Sequence, residues 1–97
     1  VHIISQKKVY EAIRKHPDAA ENLRSWYTDL KRLDFQNFNQ LKEHYPSASI
    51  LKNSRVCFNI KGNNYRIIAV ILLKRSQVLI RFIGTHADYD KIDANTI

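Results

Sequence analysis

Apolar positions recur every three or four residues from Val9 to Tyr45, and every second residue from Arg55 to Ile83. That change of period divides the chain into a helical half and a strand half. Val9 and Ile13 lie one turn apart in the otherwise charged stretch 7–15, which predicts a short amphipathic helix with Ser5 as its N-cap. Pro17 breaks that helix and starts another, since proline suits a first helical turn. Ala19, Leu23, Trp26, Tyr27, Leu30 and Leu33 then share one face of a helix over 18–33, with Trp26 and Tyr27 as core anchors. Phe35, Phe38, Leu41 and Tyr45 predict a third, shorter helix that stops at Pro46, and residues 47–53 read as a loop. His2, Ile3 and Ile4 suit an edge or N-terminal strand.

In the second half, Val56, Phe58 and Ile60 alternate with Arg55, Cys57 and Asn59. Gly62-Asn63 marks a tight turn, residues 65–74 a central strand, Arg75-Ser76 a second turn, and residues 77–83 a third strand. The result is an antiparallel meander. With these turns Ile60 faces Tyr65, Asn59 faces Arg66, Val70 faces Arg81 and Arg66 faces Thr85. One sheet face then carries Val56, Phe58, Ile60, Tyr65, Ile67, Ala69, Ile71, Leu73, Val78, Ile80 and Phe82, and should pack on the helices. The other carries Arg55, Cys57, Asn59, Arg66, Ile68, Val70, Arg81, Ile83 and Thr85. On that open face Arg81 stands beside Arg66, which explains an arginine set into an apolar run.

Ninety-seven residues suit one domain, spanning 1–97, of class α+β: helices on one face of an antiparallel sheet and a short C-terminal helix. The one cysteine, Cys57, excludes an intramolecular disulfide and fits a reducing compartment. The longest apolar run, 67–73, is too short to span a bilayer, so a cytoplasmic location is expected. The histidines and the cysteine lack the spacing of a zinc site, and no metal or other cofactor is expected.

Charge sharpens the picture. The net charge is +7, and no acidic residue stands between Glu43 and Asp88, a stretch that holds Lys52, Arg55, Lys61, Arg66, Lys74, Arg75 and Arg81. Such a bias fits a surface that tracks phosphates. The stretch IRFIGTHADYDKI at 80–92 adds the chemistry. Thr85 followed three residues later by Asp88 is a capping-box pattern, with Thr85 as N-cap. It places His86 in a first helical turn, where the dipole disfavours imidazolium, and a neutral ring can accept a proton. Asp90 falls one turn on and can share its side, with Tyr89 and Lys91 adjacent. A candidate base and two arginines at one end of a sheet suggest a nuclease-like site.

The segments HIIS, HPDA, LRSWY, FNIKGNNYRIIA and IRFIGTHADYDKID resemble, in order along the chain, the HigB family of bacterial toxins in the RelE/ParE superfamily. The GNxxR and THxxYDK blocks are the most specific parts. This resemblance implies a RelE-like compact domain. It implies the toxin of a type II toxin–antitoxin system, an mRNA interferase that cuts translated messages on the 70S ribosome. Metal-free chemistry is implied as well: the 2′-OH attacks the adjacent phosphate and leaves a 2′,3′-cyclic phosphate. The implied partner is a HigA-type helix-turn-helix antitoxin, and operator DNA would be bound only through the toxin–antitoxin complex. Carried onto this chain, Arg66, Arg81, His86, Tyr89, Asp90 and Lys91 are the catalytic candidates. Lys52, Arg55, Asn59, Lys61, Lys74 and Arg75 are candidates for contact with RNA or ribosome. The alternatives are a non-nuclease toxin of the ParE type or an RNA-binding module on the same fold.

Overall fold

Both periodicities become the elements they specify. The computed structural model covers residues 1–97. In chain order it contains β1 (His2–Ile4), α1 (Gln6–Lys15), a 3-10 turn at Pro17–Ala19, α2 (Ala20–Arg32), α3 (Phe38–His44), β2 (Ser49–Ile50), β3 (Arg55–Ile60), β4 (Tyr65–Leu72), a 3-10 turn at Leu73–Arg75, β5 (Gln77–Thr85) and α4 (His86–Tyr89). Ser5 occupies the N-cap position of α1, but it does not cap as expected. Its backbone is left-handed (φ 75°) and its hydroxyl makes no cap bond; its carbonyl instead accepts from Lys8 N–H at 3.0 Å. Asn37 does cap α3, its side chain accepting from Gln40 N–H at 2.9 Å. Basic residues close α1 and α2, where they complement the negative helix ends.

One face of the sheet packs on α1, α2 and α3. Val56, Phe58, Ile60, Tyr65, Ile67, Ala69, Ile71, Val78 and Ile80 are buried there with Val9, Ala12, Leu23, Trp26, Leu30 and Leu41. Phe58 sits edge-on to both Trp26 and Tyr45, with ring centroids 5.3 and 5.2 Å apart. Trp26 is a core residue, as its spacing predicts, whereas Tyr27 is half-buried at the margin. No helix is long and apolar enough to cross a membrane.

The fold is α+β with helices on one face, but the sheet is mixed rather than an antiparallel meander. Its order is β1-β5-β4-β3-β2, and β1 runs parallel to β5, pairing Ile3 with Val78. A two-residue strand, β2, replaces part of the loop expected at 47–53 and pairs with β3. The first hairpin has the expected register, Ile60 opposite Tyr65 and Asn59 opposite Arg66. The second does not. Its connection is the four residues 73–76 rather than Arg75-Ser76, so Leu72 faces Gln77 and Val70 faces Leu79, not Arg81.

A bulge then shifts the register between Ile68 and Ala69. Ala69 faces Ile80, whereas Ile68 faces Phe82, and Arg81 is the additional residue. The shift reverses the side-chain alternation beyond Arg81. Phe82, expected in the main core, turns to the other face and packs beside Cys57 and Ile68. Ile83 turns the opposite way and joins the main core. Arg66 therefore faces Gly84 rather than Thr85.

The second face is not open across its centre. Cys57, Ile68 and Ala94 are buried there, with Leu51, Phe82, Tyr89, Ile92 and Ile97 packed around them. Arg55 holds the covering segment. Its Nε and Nη2 donate to the Ile97 carbonyl at 2.8 and 2.6 Å, and Nη2 also reaches the Thr96 carbonyl at 3.3 Å. The margin of this face, at the end of β5 and the start of α4, remains accessible: Arg66 and Thr85 are partly exposed and Asp90 is exposed.

Candidate functional site

Four of the six catalytic candidates meet at that margin, and the local sequence explains how. β5 ends at Thr85, whose hydroxyl accepts from Asp88 N–H at 3.1 Å while the Asp88 carboxylate accepts from Thr85 N–H at 3.3 Å. This is the predicted capping box. These bonds to Thr85, aided by the charges of Lys15 and Lys91, hold the Asp88 carboxyl below the usual carboxylate value of 3.8. Gly84 permits the approach of the cap. A Cβ there would lie 3.2 Å from Asp88 Cβ and 2.8 Å from Phe82 Cζ. The fixed turn also makes His86 N–H donate to the Asn64 carbonyl at 3.1 Å, which ties α4 to the β3–β4 turn.

On that turn His86 and Asp90 share a side, as their spacing predicts. His86 Nδ1 lies 3.2 Å from Asp90 Oδ2, and both side chains are exposed to solvent. In the neutral tautomer whose Nδ1–H donates to the carboxylate, Nε2 is a proton acceptor. Tyr89 points back over the sheet. Its phenol is pushed up first by burial and then by the neighbouring Cys57 thiol, with Arg66 opposing. It therefore stays protonated at neutral pH.

Arg66 lies on the Tyr89 ring, its guanidinium carbon 4.4 Å from the ring centroid. Asn63 steadies it from the other side, Oδ1 accepting from Nε at 3.2 Å and Nη2 at 3.0 Å. Nη1 and one Nη2 proton remain free to fork onto an anion. Asn63, which sequence reasoning used only as a turn residue, is thus part of the site. Lys91 is exposed, one residue beyond Asp90; its charge acts on Asp88 and its backbone N–H donates to the Asp88 carbonyl at 3.2 Å.

Arg81 does not share this cluster in the expected manner. The bulge turns it out of the register that set it beside Arg66. It lines instead a depression shared with Lys8, Lys15 and His16 of α1 and its C-cap. Three of the residues expected to contact RNA or ribosome have internal partners. Arg55 clasps the Thr96 and Ile97 carbonyls, Asn59 donates to the Ser47 carbonyl at 2.9 Å, and Lys61 pairs with Asp18 at 3.2 Å. Lys52, Lys74 and Arg75 are exposed. No three of the His, Cys, Asp and Glu side chains group closely enough to hold a metal ion.

Known proteins share most of this chain. Residues 19–92 match the HigB toxin family, described as the RelE-like toxic component of a toxin–antitoxin system. The chain is 33% identical over 94 residues to a protein named mRNA interferase HigB from Escherichia coli O6:H1 (strain CFT073), covering 95% of this chain and 91% of the relative. It is 28% identical over 92 residues to the mRNA interferase toxin HigB of Escherichia coli K12, covering 93% and 88%. The matched segment includes every residue of the cluster around His86.

Proposed function

The chain belongs to the HigB family of RelE-like toxins, and from that premise we propose that it is an endoribonuclease that cuts translated mRNA on the ribosome. The observation that carries the reading is the His86–Asp90 pair beside an arginine seated on Tyr89. Cleavage by the message's own 2′-OH needs a base at that hydroxyl, positive charge on the five-coordinate phosphate, and a donor for the leaving 5′-oxygen. Asp90 fixes the His86 tautomer, so Nε2 takes the 2′-OH proton. Arg66 forks onto the non-bridging phosphate oxygens, held in place by Asn63 and the Tyr89 face. Lys91, exposed beside Asp90, neutralises the departing oxygen. No step in this scheme needs a metal ion.

The cluster is shallow and exposed, so it positions substrate weakly by itself. The ribosome supplies that positioning, which can be worth several orders of magnitude in rate. Exposed Lys52, Lys74 and Arg75 are suited to rRNA phosphates. A HigA-type antitoxin neutralises the toxin, and operator DNA is bound through their complex.

The test is single-turnover cleavage of message in prebound ribosome complexes. His86→Gln keeps a hydrogen-bonding side chain and removes the base, so the rate falls by roughly 10²–10⁴ with little change in ribosome affinity. Wild-type cleavage by His86→Gln would reduce His86 to a helix-start residue. Toxicity that survives this substitution without any cut RNA would favour a ParE-type, non-nuclease toxin.

A further inference from the structure

We propose that the depression at the β5 bulge is a second RNA subsite, holding a phosphodiester of single-stranded RNA beside the scissile one. The proposal rests on the ribonuclease reading above. Arg81 is the residue added by the bulge, exposed and without a cross-strand neighbour. β1 pairs only with Gln77, Val78 and Leu79, so no strand covers the edge of β5 at Arg81. Here α1 runs alongside. Lys8, Lys15 and His16 join Arg81 and Phe82 around a depression of about 270 Å³.

The charges in this depression are unbalanced. Glu11 is its one carboxylate, and its ion pair is with Lys7, outside the depression, at 3.9 Å. Lys8, Lys15 and Arg81 have no carboxylate partner within 4.0 Å. Three cations around a concavity concentrate positive potential, and an anion relieves it. The bulge gives up regular strand pairing there, and what it accomplishes is to aim Arg81 toward α1.

The occupant is nucleic acid rather than a small anion because of what adjoins the cations. Phe82 lines the depression, and its ring centroid is 6.4 Å from that of Tyr89, the ring that carries Arg66. Cations beside a partly exposed aromatic residue suit a single strand, whose phosphates meet charge while a base packs on the exposed part of Phe82. The depression lies within electrostatic reach of the candidate chemistry. Lys15 acts electrostatically on Asp88, the cap of the helix that begins with His86.

Fluorescence anisotropy with a labelled hexamer of 2′-O-methyluridine, which lacks the nucleophile, tests the subsite apart from cleavage. In the double variant Lys15→Gln/Arg81→Gln, affinity falls several-fold and the slope of log K against log salt decreases by about 0.7, the value for one phosphate of a single strand. Arg81→Lys keeps most of the slope. On ribosome-bound message the double variant raises KM roughly tenfold while kcat holds. Both residues are exposed, and unchanged melting curves confirm that folding is intact. Wild-type affinity and slope in the double variant would overturn the subsite. So would a fall in kcat with an unchanged slope, since Arg81 would then act on the scissile phosphate. A variant that binds RNA normally but loses a hexaglutamate peptide would make the depression a protein-docking site. A chain that cuts no message, yet shows the loss of slope, keeps the subsite and discards the nuclease.

Discussion

Arg66 is held by two neighbours of different kinds. The Tyr89 ring offers it a flat, negatively polarised face, and the Asn63 amide oxygen takes two of its five protons. A lysine can replace the charge but neither the stacking nor the fork. Arg66→Ala should lower single-turnover cleavage by roughly 10²–10³ and Arg66→Lys should recover little of it. Asn63→Ala, which frees the guanidinium to wander, should give a smaller loss of the same kind. Full cleavage by Arg66→Lys would mean that charge alone suffices. The His86–Asp90 pair was legible in the sequence because four residues on a helix fix a neighbour relation. The seat of Arg66 was not, because it depends on a strand, a turn and a helix meeting in space.

Among the elements, α4 is too short to be stable alone and depends on its cap. Thr85→Ala removes the hydroxyl that accepts Asp88 N–H. Thermal melting should fall by roughly 4–8 °C, the change that about 1 kcal/mol makes in a domain of this size. Cleavage should fall further than folding does, because His86 loses its fixed position. Thr85→Ser should restore both; failure of serine to do so would assign the effect to the lost methyl group.

β5 shows why sequence reasoning reached the second hairpin and then went astray. Up to Ile80 an error of two residues in the register left every side chain on its proper face. The bulge at Arg81 then exchanged the faces of Phe82 and Ile83, and an uninterrupted apolar run gives no sign of where a bulge will fall. The parallel pairing of β1 was equally hidden, since three residues carry too little pattern to specify a partner. The helices were read almost to their ends because their apolar stripes are long enough to be unambiguous.

Across the molecule, two carboxylates join segments distant in sequence. Asp18 accepts from the Tyr65 hydroxyl at 2.8 Å and pairs with Lys61, linking the turn before α2 to the first hairpin. Asp29 on α2 accepts from the Tyr45 hydroxyl and lies 2.8 Å from His44 Nε2 at the end of α3. Hydrogen bonding, from Tyr65 and Tyr45 respectively, lowers both carboxyls below the usual 3.8. A lowered carboxyl binds fewer protons in the folded state than in the unfolded one. Its contribution is therefore complete above the unfolded value and lost as pH falls through the folded one. Melting temperature should decline below about pH 4. Asp18→Asn/Asp29→Asn should show a lower plateau at neutral pH and a shallower decline; an unchanged acid limb would assign the titration to other groups.

The place of β5 in the sheet governs when the protein can become active. The strand lies between β1 and β4, although it follows both of them in the chain. Until residues 77–85 emerge, β1 has no partner, and the buried face of α1 has no Val78 or Ile80 to pack against. The segment that bears His86 and Asp90 comes later still. On the proposed function, a nascent chain is therefore harmless to the ribosome that makes it until β5 has been inserted between β1 and β4. Chains stalled on the ribosome before residue 77 has emerged should be digested rapidly by protease, and release should bring resistance and RNA cleavage together.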